Sequence, residues 1–198
     1  MKLLIATTNP AKQAELTAGV MEHAPHVEIL TLDDFPEAPE PEETGETFLE
    51  NAQIKAEYYG DLFGVPTLAD DGGFAIDILG GEPGVKAKRW LGRPALEVEL
   101  ATHAIERLVG KPKNERTAVL ETCLFFYDPN TGKSFSTQEK VLGWVAEELP
   151  EEITPGFPYR AIFYVSEFDK RYDDLTPAEH AKVNHRLLAL KKLLSQIS

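Results

Sequence analysis

Two adjacent carboxylates and two glycines stand together in the segment LADDGGFAID, residues 68–77, within an otherwise apolar run. Asp and Gly are frequent in turns, so Asp70 and Asp71 are compatible with a simple turn. A carboxylate pair at the end of a strand also suits Mg²⁺, which prefers oxygen ligands, or the orientation of a water molecule for attack. The segment by itself leaves both interpretations open.

A second polar group occurs in the stretch TTNPAK, between a predicted strand and a predicted helix. Here Thr7, Thr8 and Asn9 supply two hydroxyls and an amide, and Lys12 supplies a cation. A helix start presents free backbone N–H groups and the positive end of the helix dipole, so this turn is compatible with phosphate binding. It is not a Walker A loop, which needs GxxxxGK followed by Ser or Thr. A helix that starts at Thr8-Asn9-Pro10, with a capping residue before the proline and a surface lysine, explains the same residues without a ligand.

Residues 33–50 hold eight acidic residues, three prolines and no basic residue. The prolines predict a solvated loop until about Thr44, followed by a helix to residue 63 that Thr44 or Thr47 caps. Glu42 and Glu43, at the end of the loop, are candidate metal ligands, and solvated loop charge is the simpler alternative.

The pattern of the whole chain predicts an α/β domain, because short apolar strands alternate with helices. A predicted strand at residues 65–69 ends at the two aspartates, and the alternation resumes at FAIDIL. Two β-rich runs joined by DPNTGK predict a hairpin, which makes the sheet mixed rather than fully parallel. One C-terminal helix is predicted to begin at Thr176 and to carry His185 and Arg186, which alone are typical of a helix surface.

Length, charge and composition exclude several classes of function. The 198 residues are enough for one domain, residues 1–198, and a formal charge of −13 argues against nucleic acid as the main partner. No apolar run approaches the roughly 18 residues that a membrane span needs, and the N-terminus does not resemble a secretory signal. We therefore expect a cytoplasmic protein without a membrane partner. The single cysteine, Cys123, is predicted to be a buried structural thiol.

Four segments occur in one order: TTNPAK, ETGETFLENAQIKA from Glu43 to Ala56, LADDGGFAIDILGGEPGVKAKRW, and NHRLLALKKL. Together they resemble the inosine triphosphate pyrophosphatase family over nearly the whole chain. The resemblance implies an elongated, two-lobed α/β domain with a long central mixed β-sheet flanked by helices and a cleft between the lobes. It also implies a homodimer, and Mg²⁺-dependent hydrolysis of ITP, dITP and XTP to the monophosphate and pyrophosphate.

The resemblance further implies roles for individual residues. Asp71 resembles the general base, with Asp70, Lys12 and Lys55 beside it as catalytic groups, and Glu43, Asp70 and Asp71 resemble the carboxylates on the metal side. Lys12 and Lys55 are also candidates for substrate binding. The other candidates for substrate binding are Thr7, Thr8, Asn9, Gly72, Arg89, Phe157, Tyr159, Arg160, His180, His185 and Arg186.

The departures from the family pattern cluster on the base side. Gly72 replaces a serine, and Phe157-Pro158-Tyr159-Arg160 stands where the family has FGYD or FGWD, so a cation replaces a carboxylate. His180 aligns with a family lysine, and Asn184 replaces a serine. Two alternatives therefore stay open: a related pyrophosphatase with a different base preference, such as modified pyrimidines, and a nucleotide-binding module without turnover.

Overall fold

The computed structural model describes residues 1–197, which contain a seven-stranded sheet. The strands are β1 Lys2–Ala6, β2 Glu28–Thr31, β3 Thr67–Ile76, β4 Thr117–Asp128, β5 Lys133–Val145, β6 Phe163–Val165 and β7 Lys170–Arg171. Their order is β2-β1-β3-β4-β5-β6-β7. β1 pairs in parallel with β2 and β3, whereas β6 pairs antiparallel with β5 and β7, so the predicted mixed sheet is confirmed. Residues 129–132 join the neighbouring strands β4 and β5, as predicted for a hairpin.

The α-helices are α1 Pro10–His23, α2 Phe48–Phe63, α3 Glu97–Glu106, α4 Pro177–Val183 and α5 His185–Ile197. Side-chain caps fix three of their starts: Asn9 caps α1, Thr47 caps α2, and Thr176 caps α4 in a capping box with Glu179. These caps lie where the sequence predicts them, because a cap is a hydrogen bond between residues close in the chain.

The chain forms two compact units. The first contains residues 1–71, 122–139 and 185–197, and the second contains residues 72–121 and 140–184. In the first unit, alternate residues of β1 enter two different apolar clusters: Leu3 and Ile5 pack with α1 and α5, while Leu4 packs with α2. This alternation follows from the strand period of two.

The second unit has its own apolar core. Phe74 and Ile76 from the end of β3 pack there with Leu100 and Ala104 from α3 and with Phe163 from β6. Since each unit buries its own apolar side chains, the assignment of residues 1–198 to one domain stays a prediction.

The predicted break at the aspartates is wrong, because β3 runs without interruption through Asp70, Asp71, Gly72 and Gly73. Neither glycine has the positive φ of a tight turn. Pairing with β1 fixes the preceding residues 67–69 in extended conformation, and β4 flanks β3 on its other side. Sheet pairing therefore overrides the local turn preference of Asp and Gly.

The prediction of one C-terminal helix is also wrong. Asn184 adopts φ −66 and ψ 90, which ends α4, and α5 begins at the next residue. Asn favours such non-helical conformations through local hydrogen bonding. His185 and Arg186 thus lie in the first turn of a new helix, and both are 3% exposed, so the interpretation of this pair as surface residues is wrong.

Cys123 in β4 is 2% exposed, as the sequence predicts. Within residues 1–197, no helix combines the length and the apolar character that crossing a membrane requires.

Candidate functional site

The amine of Lys55 joins a loop residue to strand β3. Its Nζ donates to Glu43 Oε1 at 2.9 Å and to the carbonyl oxygen of Asp70 at 2.8 Å. The same amine lies 3.5 Å from Asp71 Oδ1. Since Lys55 projects from α2 and Glu43 precedes that helix, α2 brings Glu43 and Asp71 to one cation.

Asp70 has a different set of partners. Its Oδ2 lies 2.7 Å from Lys12 Nζ on α1 and 3.4 Å from Arg186 Nε on α5, and its side chain is fully buried. Its Oδ1 accepts a hydrogen bond from the hydroxyl of Thr122 in β4. Arg186 in turn donates to Glu15 Oε2 at 2.6 Å, so two acids and two cations balance each other in the interior.

Strand geometry explains why neighbouring carboxylates have separate partners. Successive side chains of a strand point to opposite faces of the sheet. Leu68 packs in the cluster with α1 and α5, whereas Ala69 packs in the cluster with α2. By the same alternation, Asp70 meets Lys12 and Arg186, and Asp71 meets Lys55. A turn at this point would have removed the alternation.

The two aspartates have opposite pKa shifts. Burial alone would raise the pKa of Asp70, but Arg186, Lys12 and Thr122 outweigh it and hold that pKa well below its usual range. Burial raises the pKa of Asp71, and Lys55 and Lys12 only partly oppose the rise, while Glu43 and Asp70 add to it. Asp70 is therefore a fixed anion, and Asp71 binds a proton more readily than an ordinary aspartate.

The two lysines differ in the same way. Burial lowers the pKa of Lys12; Asp70 opposes this effect, and the neighbouring cations Arg186 and Lys55 increase it. Burial would also lower the pKa of Lys55, but Asp71 and Glu43 outweigh it, so its pKa is raised. Lys55 is thus the more firmly charged of the two amines.

The first turn of α1 does not offer the free amides that its sequence predicts. Asn9 Oδ1 accepts from the backbone N–H groups of Ala11 and Lys12 at 2.9 and 3.3 Å, and the N–H of Gln13 donates to the carbonyl of Asn9 at 2.9 Å. The cap therefore occupies these donors. What α1 presents at this end is its dipole, the amine of Lys12 and the exposed Thr8.

Three of the predicted base-side residues belong to one cluster in the second unit. The guanidinium of Arg160 lies 3.6 Å from the ring centre of Phe157 and 4.9 Å from that of Tyr172. The ring of His180 meets the ring of Tyr172 edge-on at 5.2 Å. Arg160 is 8% exposed, so its cation is sandwiched between aromatic rings rather than displayed to solvent.

The other predicted residues of the second unit have separate surroundings. Tyr159 stacks on Phe74 with ring centres 4.9 Å apart, and its hydroxyl donates to the carbonyl of Ala87 at 2.7 Å. Arg89 is exposed at the end of a 3-10 turn, and Gly72 lies in β3.

Two residues of the charged network were missed from the sequence, Glu15 and Thr122. Glu15 lies three positions after Lys12 on α1, so helical spacing offered a signal. Thr122 offered none, because its contact with Asp70 depends on the order of strands in the sheet.

Of the three carboxylates predicted to bind a metal, two lie together and the third is apart from them. Residues 1–197 contain no group of three or more His, Cys, Asp or Glu side chains arranged to hold a metal ion. Glu43 and Asp71 share Lys55, whereas Asp70 is enclosed by protein donors. The predicted set of three carboxylates is therefore divided between two faces of β3.

Known proteins match the chain over almost its full length. A dITP/XTP pyrophosphatase from Geobacillus kaustophilus is 36% identical over 196 residues, which cover 98% of this chain and 93% of the relative. A dITP/XTP pyrophosphatase from Thermus thermophilus is 39% identical over 194 residues, which cover 98% and 90%.

Solved structures agree with these sequence relatives. The crystal structure of a nucleoside-triphosphatase / dITP/XTP pyrophosphatase from Mycobacterium abscessus superposes with a TM-score of 0.78 at 34% identity, covering 98% of this chain and 99% of the other. A HAM1 protein from Coxiella burnetii gives a TM-score of 0.84 at 27% identity, covering 99% of both chains.

The family resemblance predicted from the four sequence segments is thereby confirmed. The sequence model of the Ham1 family matches residues 3–196, and this chain belongs to the Ham1 family.

Proposed function

We propose that this protein hydrolyses non-standard purine nucleoside triphosphates, namely ITP, dITP and XTP, to the monophosphate and pyrophosphate. The family membership and the dITP/XTP pyrophosphatases among its relatives support this activity. One observation carries the proposal: lysines from two helices converge on the adjacent residues Asp70 and Asp71 of one strand.

The charges of this site suit a triphosphate. A nucleoside triphosphate carries about four negative charges, and its hydrolysis depends mainly on positioning and on charge stabilisation. Lys12 lies 2.7 Å from Asp70 and Lys55 lies 3.5 Å from Asp71, so an amine from each of two helices adds positive charge beside the proposed phosphate site. Thr7, Thr8 and Asn9 flank Lys12 and complete the proposed phosphate-binding turn.

Glu43 and Asp71 are the residues that would hold Mg²⁺. Magnesium is usually bound through one or two carboxylates together with substrate phosphates, not by a cage made only of protein. Glu43 and Asp71, which both contact Lys55, fit this mode of binding. The phosphate oxygens of the substrate would then supply further ligands to the ion. The ion would lower the pKa of a bound water and neutralise charge on the phosphates.

We assign the general base to Asp71. Its partial exposure and its position beside Lys55 and Glu43 suit a group that accepts a proton from the attacking water. The water oxygen attacks the α-phosphorus, and the bond from that phosphorus to the bridging oxygen breaks, which releases pyrophosphate. Asp70 acts differently: as a fixed anion it orients Lys12.

We propose that residues of the second unit take part in base recognition, and His185 and Arg186 of the first unit stay candidates for substrate binding. Phe157, Arg160 and His180 form one aromatic and cationic cluster around Tyr172. Because Arg160 stands where the family has a carboxylate, a changed base preference is the alternative that this cluster favours.

A substrate panel tests the proposal. The purified protein is incubated with Mg²⁺ and ITP, dITP, XTP, dUTP, a modified pyrimidine triphosphate or ATP, and both products are identified. We expect pyrophosphate and monophosphate, with the highest kcat/KM for the deaminated purines. Equal or faster hydrolysis of pyrimidines would replace the purine assignment, and release of orthophosphate would show that a different bond is cleaved.

We further propose that the protein is a cytoplasmic homodimer that uses a small nucleotide, not a nucleic acid, as its partner. The resemblance to the family and the net charge of −13 support this view.

Three apolar side chains on the surface are available for a subunit contact: Leu96, Val98 and Val109, with 70, 43 and 76% exposure. Light scattering coupled to size-exclusion chromatography would return the monomer mass of 22.0 kDa if the dimer proposal is wrong.

A further inference from the structure

Glu43 lies in a segment that has no regular backbone hydrogen bonding. Residues 36–45, between the end of a short 3-10 turn and the start of α2, are neither helix nor strand. Yet the carboxylate of Glu43 meets Lys55 at 2.9 Å. Something other than secondary structure must hold this part of the chain in place, because a loop without such bonds samples many conformations.

Side chains of the first turn of α2 hold the segment that follows Glu43. The N–H of Gly45 donates to Asn51 Oδ1 at 2.8 Å. The N–H groups of Glu46 and Thr47 donate to Glu50 Oε2 at 2.7 and 3.0 Å. Three successive backbone amides thus donate to side chains of one helix. Of the two accepting residues, Asn51 and Glu50, only Asn51 is buried, with 2% exposure.

The partly buried hydrogen bond to Asn51 differs from the exposed pair to Glu50. Glu50 belongs to the capping box with Thr47, a local device that many helices use. Asn51 reaches six residues back, and its bond to Gly45 is partly buried, so water competes with it less than with the exposed bonds to Glu50. This bond therefore ties the loop to the helix rather than merely capping the helix.

Gly45 is required there by space. A Cβ on Gly45 would lie 2.6 Å from Asn51 Oδ1, 2.7 Å from Glu50 Cβ and 2.9 Å from the backbone nitrogen of Asn51. The last two atoms are not the far end of a flexible side chain, so the backbone of residue 45 would have to move away from α2.

The helix holds the same short segment at two points. Lys55 is four positions after Asn51, one turn along α2, and its amine binds the carboxylate two residues before Gly45. The Asn51 amide thus fixes the backbone of residue 45, and the position of Glu43 relative to Lys55 and Asp71 follows from it.

We propose that Gly45 and Asn51 form a clamp that positions Glu43 beside Lys55 and Asp71. Both are positioning residues, since neither touches the reacting groups. The functional part of this inference rests on the proposed function, because it takes Glu43 as a carboxylate of the Mg²⁺ site. Groups that orient a metal ligand typically change metal affinity or activity by 10- to 100-fold when they are removed.

The test compares Asn51→Ala with Gln53→Ala. Gln53 lies on the same helix, and its side-chain amide donates to Glu57 Oε1 at 2.8 Å, away from the loop. For Asn51→Ala we expect amide hydrogen exchange of Gly45 to lose its protection, and the Mg²⁺ concentration for half-maximal pyrophosphate release to rise about 10- to 100-fold. Gln53→Ala should change neither quantity.

Direct binding of Mn²⁺, followed by electron paramagnetic resonance with a non-hydrolysable triphosphate, adds a readout that needs no turnover. Asn51→Ala should weaken this binding as well. If Asn51→Ala does not fold, Gly45→Ala replaces it and should give the same changes. The double variant should be no worse than Gly45→Ala alone, because both substitutions break the bond between residue 45 and Asn51.

The possible results distinguish a failure of the proposed clamp from a failure of the proposed pyrophosphatase activity. Protection of Gly45 that survives in Asn51→Ala would overturn the clamp, and so would lost protection with unchanged Mg²⁺ and Mn²⁺ responses. A wild-type protein that releases no pyrophosphate would overturn the proposed function instead, while Gly45 exchange and Mn²⁺ binding would still decide the inference.

Discussion

Asp70 and Asp71 are neighbours in the sequence, yet their carboxylates bind different lysines: Asp70 lies 2.7 Å from Lys12 Nζ, and Asp71 lies 3.5 Å from Lys55 Nζ. The pair is divided because it lies inside a strand, where successive side chains point to opposite faces. One carboxylate is enclosed by cations, and the other shares its amine with Glu43. The two residues should therefore respond differently to the same substitution.

Asp71→Asn should lower kcat by about 10²- to 10⁴-fold, because it removes the group proposed to accept the proton of the attacking water. Binding of the nucleotide should be largely retained, since Lys12 and Lys55 remain. Pyrophosphate release and calorimetric titration with a non-hydrolysable analogue measure the two effects. Asp77→Asn, at an exposed position just after β3, is the matched control. Unchanged kcat in Asp71→Asn would remove Asp71 from its proposed role.

Asp70→Asn should act mainly on stability. It leaves the buried cations Lys12 and Arg186 without their shared anion, and breaking a buried ion pair in this way costs about 3–5 kcal/mol in the free energy of unfolding. Urea denaturation followed by circular dichroism measures the loss. Asp169→Asn breaks the exposed ion pair with Lys113 and should change stability little. A similar midpoint for both variants would contradict the predicted importance of the buried network.

Gly143→Ala should destabilise the second unit. A Cβ at this position would lie 1.9 Å from the carbonyl oxygen of Tyr164 and 2.5 Å from Phe163 Cζ, so β5 and β6 would have to separate. Overpacking of this kind typically costs about 1–3 kcal/mol. Thermal unfolding of Gly143→Ala is compared with that of Ser134→Ala, an exposed position of β5. Equal melting temperatures would show that the strands tolerate the extra methyl group.

The start of α4 should make stability depend on pH in the acid range. A hydrogen bond from Lys170 and bonds from Thr176 lower the pKa of Glu179 to about 2. A carboxylate whose pKa is lower in the folded state stabilises the fold above its ordinary value of 4.5, and this contribution disappears as the pH falls to about 2.

Glu179→Gln tests this dependence, because Gln can still accept a bond from the Thr176 N–H but cannot be charged. The wild-type protein should be the more stable of the two at pH 7, and the difference should shrink between pH 4.5 and 2. Urea midpoints at several pH values measure it. A difference that stays constant down to pH 2 would contradict the predicted role of the charge.

Features that depend on nearby residues were predictable from the sequence. The caps at Asn9, Thr47 and Thr176 lie where they were expected, because each is a hydrogen bond across three or fewer residues. Strand and helix patterns likewise indicated an α/β fold with a hairpin and a mixed sheet. The ordered motifs pointed to the correct family over nearly the full chain.

The partners of the charged residues were decided by tertiary structure. Asp70 receives Lys12 from α1, Thr122 from β4 and Arg186 from α5, and no local pattern connects these segments. Sequence alone therefore pointed to Lys12, Lys55 and the two aspartates, but not to Glu15 or Thr122. Only the order of strands in the sheet, and the helices packed on its two faces, decided which cation each carboxylate meets, because hydrogen bonding between strands outweighs the turn preference of Asp and Gly.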